Sequence, residues 1–340
     1  MMRVDAYCHF IPNAFFEWTQ KNAANFADIG KRMRGIPAIY DLDVRRKMMG
    51  QFPDYSQVIS YAMPPIENLV QGEQLNELSK LINDGFAEIC QKHPDEFPGF
   101  VAQVSLDAPD AGVKEAERAI KDLGALGVQI YTNVNGKPLD RPEFADFFKK
   151  MNDLGKPVWI HPARGANMPD YLDEKKSLYE IWWTFGWPYE TAAAMSRLVF
   201  SKTIDNNPDL KLIVHHFGAI VPILEGRIGP GWDQLGSRTS DEDYVSLRKS
   251  MKKRPLDYFK QDFYADTATF GSKAAMVCGF EFFPMDKVIF ASDCPFDPEK
   301  GPGYIRETLR ILEELDLSKE DKEKVYYKNL EKLTGAKLVK

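Results

Sequence analysis

Cysteine is scarce in this 340-residue sequence, and long apolar runs are absent. The cysteines show no paired spacing and no CxxC motif, which argues against a disulfide scaffold and predicts reduced thiols in a cytoplasmic protein. They are Cys8, Cys90, Cys278 and Cys294. No apolar stretch approaches the roughly 20 residues that a membrane-spanning helix needs, and no signal peptide precedes the first predicted strand. The sequence therefore predicts a soluble cytoplasmic protein without a membrane partner.

Concentrated positive charge is also lacking. Lysine and arginine number 44 against 50 acidic residues, which gives a formal net charge of −6. The two local basic clusters, at residues 31–34 and 252–254, are short and have acidic residues nearby, so we interpret them as solvated surface. Nucleic acid is therefore not an expected partner.

No proline- or glycine-rich linker divides the chain, and 44% of its residues are hydrophobic, enough for one large core. Eight segments have the composition of strands, and helical patterns lie between most of them. The predicted strands span residues 3–10, 55–61, 100–106, 127–131, 157–161, 211–216, 263–267 and 288–291. Strands that alternate with helices favour parallel pairing, and eight such units predict a (β/α)8 TIM barrel of the α/β class. We expect one domain over residues 1–340, with a closing C-terminal helical segment.

Four separated segments offer a metal ligand at a predicted strand end. They are Asp5-Ala6-Tyr7-Cys8-His9, Trp159-Ile160-His161-Pro162, Val214-His215-His216-Phe217-Gly218 and Ala291-Ser292-Asp293-Cys294-Pro295. Barrel enzymes place their chemistry at the C-terminal ends of the strands. Neutral imidazoles and a carboxylate suit zinc or a similar divalent ion. We therefore expect a metal site of the metallohydrolase type built on His9, His161 and Asp293.

Strand alternation predicts which side chains share a face. Tyr7 and His9 should project together, and Cys8 should point the other way. We expect His216 to project into the site and its neighbour His215 to face the helices in a structural role. The prediction for the first segment therefore depends on what Tyr7 does beside His9.

Further motifs follow in a fixed order along the chain. They are Gly127-Val128-Gln129-Ile130, Gly186-Trp187-Pro188-Tyr189-Glu190-Thr191, Pro208-Asp209-Leu210-Lys211-Leu212, His216-Phe217-Gly218 with Pro222 and Arg227, Phe263-Tyr264-Ala265-Asp266, and Ser292-Asp293-Cys294-Pro295-Phe296. Each is weak alone. Together, and nearly end to end, they make the chain resemble the amidohydrolase-related family that contains aminocarboxymuconate semialdehyde decarboxylase and γ-resorcylate decarboxylase.

This resemblance implies one divalent metal ion, zinc first and manganese as the alternative. The lysine that bridges two metals in binuclear relatives has no counterpart in the fourth predicted strand. By position, His9, His161 and Asp293 match metal ligands. His216 matches the family's catalytic histidine, which handles protons, and Asp293 would help to move that proton. Arg227 matches an arginine that reaches a substrate carboxylate, in some relatives in the neighbouring subunit, which implies a homodimer or higher homo-oligomer.

Tyr7 departs from the family, which places histidine or glutamate there as the first ligand. A phenol with a pKa of about 10 is a poor ligand until a metal lowers that pKa. Three alternatives stay open. Tyr7 binds the metal as a phenolate, it donates a hydrogen bond to substrate or bound water, or the metal is weakly held or absent.

Other side chains near the predicted site suit a carboxylate substrate. Arg164, on the loop after His161, is interpreted either as a carboxylate clamp or as a surface residue. Trp187 belongs to an aromatic group that suits either an aromatic or acyl substrate pocket or a subunit interface; its other members are Trp182, Trp183 and Phe185. Arg45 lies near a second substrate arginine of the family.

The sequence therefore predicts a metal-dependent, non-oxidative decarboxylase, that is, a carboxy-lyase acting on an aromatic or unsaturated carboxylic acid. His216 serves as general acid/base, and Arg227 binds a carboxylate. One alternative uses the same site to hydrolyse a C–C, ester, lactone or amide bond. A second alternative is a metal-free barrel that binds a ligand without turnover.

Overall fold

Eight parallel strands form the centre of the molecule. The computed structural model describes residues 1–22, 29–61 and 63–340. In these ranges the strands of the main sheet are β1 (Arg3–His9), β2 (Tyr55–Ser60), β3 (Gly99–Gln103), β4 (Gly127–Tyr131), β5 (Val158–His161), β6 (Leu212–Val214), β7 (Phe263–Asp266) and β8 (Val288–Ile289). A short antiparallel hairpin, Asn133–Val134 with Lys137–Pro138, follows β4.

The strands follow one another around the sheet in chain order, and each pairs in parallel with the next. Two backbone hydrogen bonds join β1 to the segment after β8. Ala6 N donates to the carbonyl oxygen of Phe290 at 2.8 Å, and His9 N donates to that of Cys294 at 2.8 Å. The carboxylate of Asp5 also accepts hydrogen bonds from the same segment. The sheet is thus a nearly closed barrel, which confirms the predicted (β/α)8 fold.

Helices surround the barrel and connect its strands. Among the described residues the α-helices are α1 (Asn13–Asn22), α2 (Ile29–Arg34), α3 (Leu42–Met49), α4 (Glu73–Lys92), α5 (Pro109–Lys121), α6 (Ala145–Leu154), α7 (Ile181–Thr184), α8 (Gly186–Phe200), α9 (Thr203–Asn206), α10 (Glu225–Asp233), α11 (Tyr244–Ser250), α12 (Pro255–Gln261), α13 (Lys273–Phe282), α14 (Pro302–Glu314), α15 (Lys319–Glu323) and α16 (Asn329–Thr334). A π-helical turn at Lys324–Lys328 joins α15 to α16. Short 3-10 turns occur at Pro37–Ile39, Ile66–Asn68, Pro142–Phe144, His216–Gly218, Pro222–Leu224 and Met285–Lys287.

Alternate residues of the strands face the barrel interior and the surrounding helices. In β6, Ile213 packs in the interior cluster with Trp159, whereas Leu212 and Val214 pack in the outer cluster against the helices. Both faces of the strand are therefore buried, as expected when helices cover a parallel sheet. This alternation decides which side chains reach the interior where each strand ends.

The C-terminal helical segment covers the end of the barrel opposite the predicted site. Leu330, Leu333 and Leu338 join the interior cluster that contains Val4, near the start of β1. Because His9 lies at the other end of β1, this packing leaves the C-terminal ends of the strands accessible.

Two findings bear on the expected location of the protein. The four cysteines are unpaired, and the two beside the predicted ligands, Cys8 and Cys294, are buried. Within the described ranges, no helix has the length and apolar character that crossing a bilayer requires.

Candidate metal centre and active site

Five polar side chains meet at the C-terminal ends of four strands. His9 is the last residue of β1, and His161 is the last residue of β5. His215 and His216 follow β6 directly, and Asp293 lies just past β8. They therefore sit at the end of the barrel where such enzymes place their reacting groups.

Hydrogen bonds at Nδ1 orient three of the imidazoles. The Nδ1 atom of His9 lies 3.2 Å from a backbone carbonyl oxygen just after β2, and that of His161 lies 2.8 Å from the carbonyl oxygen of the next residue. The Nδ1 atom of His215 lies 2.5 Å from Oδ2 of Asp266. Because each Nδ1 faces an acceptor, a proton at Nδ1 is favoured, and Nε2 is the atom that each ring directs to the centre.

Asp293 contacts three of the imidazoles. Its Oδ1 atom lies 3.0 Å from Nε2 of His9 and 3.4 Å from Nε2 of His215, and its Oδ2 atom lies 3.7 Å from Nε2 of His216. The backbone φ of Asp293 is 64°, in the left-handed region that non-glycine residues rarely adopt. Such a conformation persists where the surroundings enforce it, so the position of the carboxylate is fixed by its neighbours.

The structure places both adjacent histidines at the site, whereas only His216 was expected there. Because Ile213 faces the interior, alternation along the chain sends His215 inward as well. The ring centre of His215 lies 5.5 Å from that of His161 and 4.7 Å from that of Tyr7. The expectation that His215 faces the helices is therefore wrong. His216 still reaches Asp293, because the strand has ended and the backbone turns into the left-handed region, with φ 56° at His216.

The ring of Tyr7 lies beside the histidines, but its hydroxyl lies below them. The ring centre is 4.9 Å from that of His9 and 6.1 Å from that of His161. The hydroxyl donates to Oε1 of Gln129 at 2.6 Å. Gln129 pairs in the sheet with Trp159, two positions before His161, so the hydroxyl lies one layer below the imidazoles. This orientation matches neither a metal-bound phenolate nor a hydrogen bond to substrate.

The donor set fits a divalent cation. The Nε2 atoms of His9, His215 and His216 are buried and have no hydrogen bond of acceptable geometry in the described part of the chain. Native proteins rarely leave buried polar atoms in that condition unless an ion or water binds there. The ligand atoms of His9, His161 and His215 lie within 4.8 Å of one another, as do those of His215, His216 and Asp293. Ligand atoms about 2.1 Å from one ion lie roughly 3.0–4.2 Å apart, so small shifts suffice.

The electrostatic surroundings favour the protonation states in which most of these side chains can bind a metal ion. Burial and the charge of neighbouring histidines hold the pKa of His161 well below its usual range. Burial opposes a charge on Asp293, but its close contacts with the surrounding histidines outweigh burial and hold its pKa well below the usual range. Burial also opposes a charge on His215, but the carboxylates of Asp266 and Asp293 raise its pKa to about 10. Asp293 is thus an anion, His161 is neutral, and a cation would displace the proton from His215.

The expected substrate-binding residues occupy three different settings. Trp187 lies at the site, with its ring centre 5.6 Å from that of His161. Arg164 is held within its loop, because Nη1 lies 3.4 Å from Oε1 of Glu190 and Nη2 donates to a backbone carbonyl oxygen. Arg227 is exposed on α10 and has no ion-pair or hydrogen-bond partner among the described residues. Of these three residues, Trp187 is the one that lies against the histidines.

Arg45 lies behind the wall of the site. It is fully buried, and its guanidinium donates to the carbonyl oxygen of His9 and to Sγ of Cys294, at 2.6 Å for the sulfur. Cys8 packs in the outer cluster, as alternation predicted. Arg45 therefore supports the two chain segments that carry His9 and Asp293, and its guanidinium contacts protein where a substrate arginine was expected.

Sequence reasoning missed three side chains that line the site. Asp266 ends β7 as His9 ends β1, so its strand-end position offered a signal. The ring centre of Phe296 lies 5.5 Å from that of His9, and that of Phe270 lies 4.8 Å from that of His216. Both phenylalanines lie on loops without periodicity; Phe296 belongs to the motif that contains Asp293, but its side chain was not recognised as part of the site, and no sequence signal indicated Phe270.

Comparison with known proteins found a matching family model and similar decarboxylases. The sequence model of the family described as amidohydrolase matches residues 4–335. The γ-resorcylate decarboxylase of Rhodococcus jostii (strain RHA1) is 28% identical over 265 residues, which cover 75% of this chain and 77% of that protein. The 2-amino-3-carboxymuconate-6-semialdehyde decarboxylase of Dictyostelium discoideum is 26% identical over 287 residues, which cover 84% and 76%. These matches confirm the resemblance drawn from the motifs.

A solved structure shares the fold. The dihydroxybenzoic acid decarboxylase of Polaromonas sp. JS666, with bound manganese and the inhibitor 2-nitroresorcinol, superposes with a TM-score of 0.78 at 23% identity. The superposition covers 98% of this chain and 97% of that one. The strand-end arrangement described above thus belongs to a barrel of the same architecture.

Proposed function

Because this chain belongs to the amidohydrolase family, we propose that it is a metal-dependent, non-oxidative decarboxylase of an aromatic carboxylic acid. The observation that carries the proposal is a buried cluster of imidazoles and one carboxylate beside aromatic rings; its members are His9, His161, His215, His216 and Asp293, with Trp187, Phe270 and Phe296 around them. A cation site walled by aromatic rings fits a flat, anionic substrate. The decarboxylases among the similar proteins support the reaction class.

The proposed ligands of the ion include the three that the sequence indicated, His9, His161 and Asp293. When bound, a divalent ion supplies positive charge that orients the substrate carboxylate and its neighbouring oxygen. Of the two expected ions, the manganese in the Polaromonas protein supports manganese over zinc. The aromatic rings around the ligands would exclude water and pack on the two faces of the substrate.

His216 is the proposed proton carrier. Its side chain keeps 9% exposure, against 0% for His9 and His215, so it is the imidazole best placed to exchange protons with substrate and solvent. Burial, followed by the charge of His215, lowers the pKa of His216, which makes its protonated form a stronger acid. It donates a proton to the carbon that loses the carboxylate, so R–COO⁻ and H⁺ give R–H and CO2. The Oδ2 atom of Asp293 lies 3.7 Å from Nε2 of His216, beyond hydrogen-bond distance, and its negative charge beside the ring favours the protonated form.

Arg227 is proposed to bind a substrate carboxylate of a neighbouring subunit, because it is exposed and unpaired in the described part of its own chain. A homodimer or higher homo-oligomer is also supported by several large apolar side chains on the surface near α7 and α8. They are Tyr171, Leu172, Tyr179, Phe185 and Tyr189. Because the cysteines form no disulfide, we also propose a cytoplasmic location.

Release of carbon dioxide tests the reaction. Purified protein loaded with manganese is incubated with 2,6-dihydroxybenzoate and a panel of other hydroxybenzoates. We expect CO2 and the matching phenol, with one deuterium on the ring when the solvent is D2O. Hydrolysis would instead place ¹⁸O from labelled water in the product. Loaded protein that releases no CO2 but hydrolyses esters or amides would refute the decarboxylase, and protein that retains no metal would favour the metal-free binding alternative.

A further inference from the structure

We infer that His215 is a metal ligand and takes the place that Tyr7 leaves open, so that three imidazoles and Asp293 hold the ion. This inference rests on the proposed function, since it concerns the metal of that same site. By the resemblance described above, a histidine or a glutamate would be expected at the position of Tyr7. Here the replacement comes from a different strand end.

Tyr7 is held away from the ion by a buried hydrogen-bond network. Its hydroxyl donates to Oε1 of Gln129 at 2.6 Å, and Nε2 of Gln129 donates to Gln103 and to Tyr131, each at 3.2 Å. These four side chains are buried. Turning the hydroxyl toward the histidines would leave Oε1 of Gln129 without a donor, which is unfavourable in the barrel interior. The network therefore keeps the phenol in the layer below the site.

His215 meets the requirements of a ligand at this point. Its ligand atom lies within 4.8 Å of those of His9 and His161, and its Nε2 lies 3.4 Å from Oδ1 of Asp293. Its Nδ1 lies 2.5 Å from Oδ2 of Asp266, the arrangement of carboxylate and imidazole that commonly lies behind metal-bound histidines. The other oxygen of Asp266 accepts hydrogen bonds from two backbone N–H groups, which fix the carboxylate in place.

His216 differs from His215 in each of these respects. Its Nε2 is 3.7 Å from the nearer oxygen of Asp293, and its side chain is partly exposed. Its ring stacks on that of His215, with centres 3.7 Å apart, and contacts Phe270 on the loop. No carboxylate holds its Nδ1 in the described part of the chain. The adjacent histidines thus divide two roles, since His215 binds the ion and His216 stays free to transfer protons.

Metal binding by single-residue variants tests this assignment. His215→Asn keeps an amide that can donate to Asp266 but has no atom in the position of Nε2. His216→Ala is the matched control from the same strand end, and Tyr7→Phe removes the alternative ligand. Bound metal per chain is measured by elemental analysis, and manganese affinity by titration calorimetry of the metal-free proteins. We expect His215→Asn to bind manganese at least about 100-fold more weakly, and the other two variants to stay within about threefold of the parent protein.

A second measurement reports the ligand set itself. The visible absorption of the cobalt-loaded protein should change in His215→Asn and stay unchanged in His216→Ala and Tyr7→Phe, because this spectrum depends on the atoms that bind the ion. Circular dichroism checks folding, and if His215→Asn does not fold, the affinity of His215→Gln decides.

The outcomes separate the ligand assignment from the proposed reaction. Full manganese affinity in both His215 variants overturns the assignment, and so does a loss in Tyr7→Phe as large as that in His215→Asn. Metal binding that depends on His215, without decarboxylation of any acid, supports the ligand assignment and counts against the proposed function. Parent protein that binds no divalent ion overturns both.

Discussion

Replacing Tyr7 with phenylalanine removes one oxygen atom from the barrel interior. That oxygen donates the hydrogen bond to Oε1 of Gln129, and both side chains have 0% exposure. The ring contacts with His9 and His215 stay, because phenylalanine has the same ring. The variant therefore separates the hydroxyl from the packing of the ring.

The expected cost follows from what the change leaves behind. The buried Oε1 of Gln129 loses its donor, which costs about 1–3 kcal/mol of unfolding free energy. An unfolding entropy of about 2.1 cal/mol/K per residue over 340 residues corresponds to about 0.7 kcal/mol/K. The midpoint of thermal unfolding should therefore fall by about 1.5–4 °C. The metal content should not change, because the hydroxyl does not reach the ligand atoms.

Thermal unfolding followed by circular dichroism, with elemental analysis of the same samples, measures both quantities. Tyr171→Phe is the control, because Tyr171 is 71% exposed and loses a hydroxyl that water already solvates. Its midpoint should not move. If Tyr7→Phe loses its metal, the hydroxyl is a ligand and the placement of Tyr7 below the site is wrong. If its midpoint equals that of the parent protein, the hydrogen bond to Gln129 does not contribute.

Four further changes test other contacts. Asp266→Asn removes the carboxylate behind His215 and should weaken manganese affinity about 10- to 100-fold without loss of helix content. Unchanged affinity by calorimetry would show that Asp266 does not position His215. Arg227→Ala should raise KM for the aromatic acid at constant metal content. Mixed oligomers of Arg227→Ala and His216→Ala chains should regain activity. A lack of recovery would show that Arg227 acts in the site of its own subunit. Arg164→Ala leaves the partly buried Glu190 without its ion pair, although Asn133 still donates to it, and should lower the unfolding free energy by roughly 1 kcal/mol with KM nearly unchanged. A large rise in KM would instead make Arg164 a substrate clamp. Burial raises the pKa of Glu67 from 4.5 to about 7, so its contribution to stability is full below pH 4.5 and is lost as the pH rises through 7. Glu67→Gln should therefore raise the unfolding midpoint at pH 8 and hardly change it at pH 4, and equal shifts at the two pH values would contradict the raised pKa.

The sequence was sufficient to predict the barrel and three side chains that the structure brings together at one site. Each predicted strand overlaps an observed one, because strands between helices leave a clear rhythm of apolar segments. His9, His161 and Asp293 were found because parallel strands bring their C-terminal ends to one face of a barrel. That reasoning needs only the order of elements, which local sequence determines.

The same reasoning could not predict that His215 faces the barrel interior. Leu212, Ile213 and Val214 are all apolar, because helices cover the outer face of β6 while the barrel interior covers the other. A strand that is buried on both faces shows no alternation of apolar and polar residues. Its sequence therefore does not indicate which residues face the barrel interior. The partner of Tyr7 was equally hidden, since Gln129 lies 122 positions further along the chain and meets it only inside the closed barrel.

Asp5 and Ser292, which form hydrogen bonds across the seam between the first and last strands, stand 287 positions apart. Loop-closure entropy opposes contacts between such distant segments, which favours late formation of this seam. His9 and Asp293 lie on its two sides, so a chain still attached to the ribosome, with its last strand not yet synthesised, has only part of the donor set. With the proposed ligands, complete metal binding would therefore require the finished barrel. Once bound, the ion would stabilise the closed seam by mass action. A higher concentration of free metal would then make separation of the first and last strands rarer.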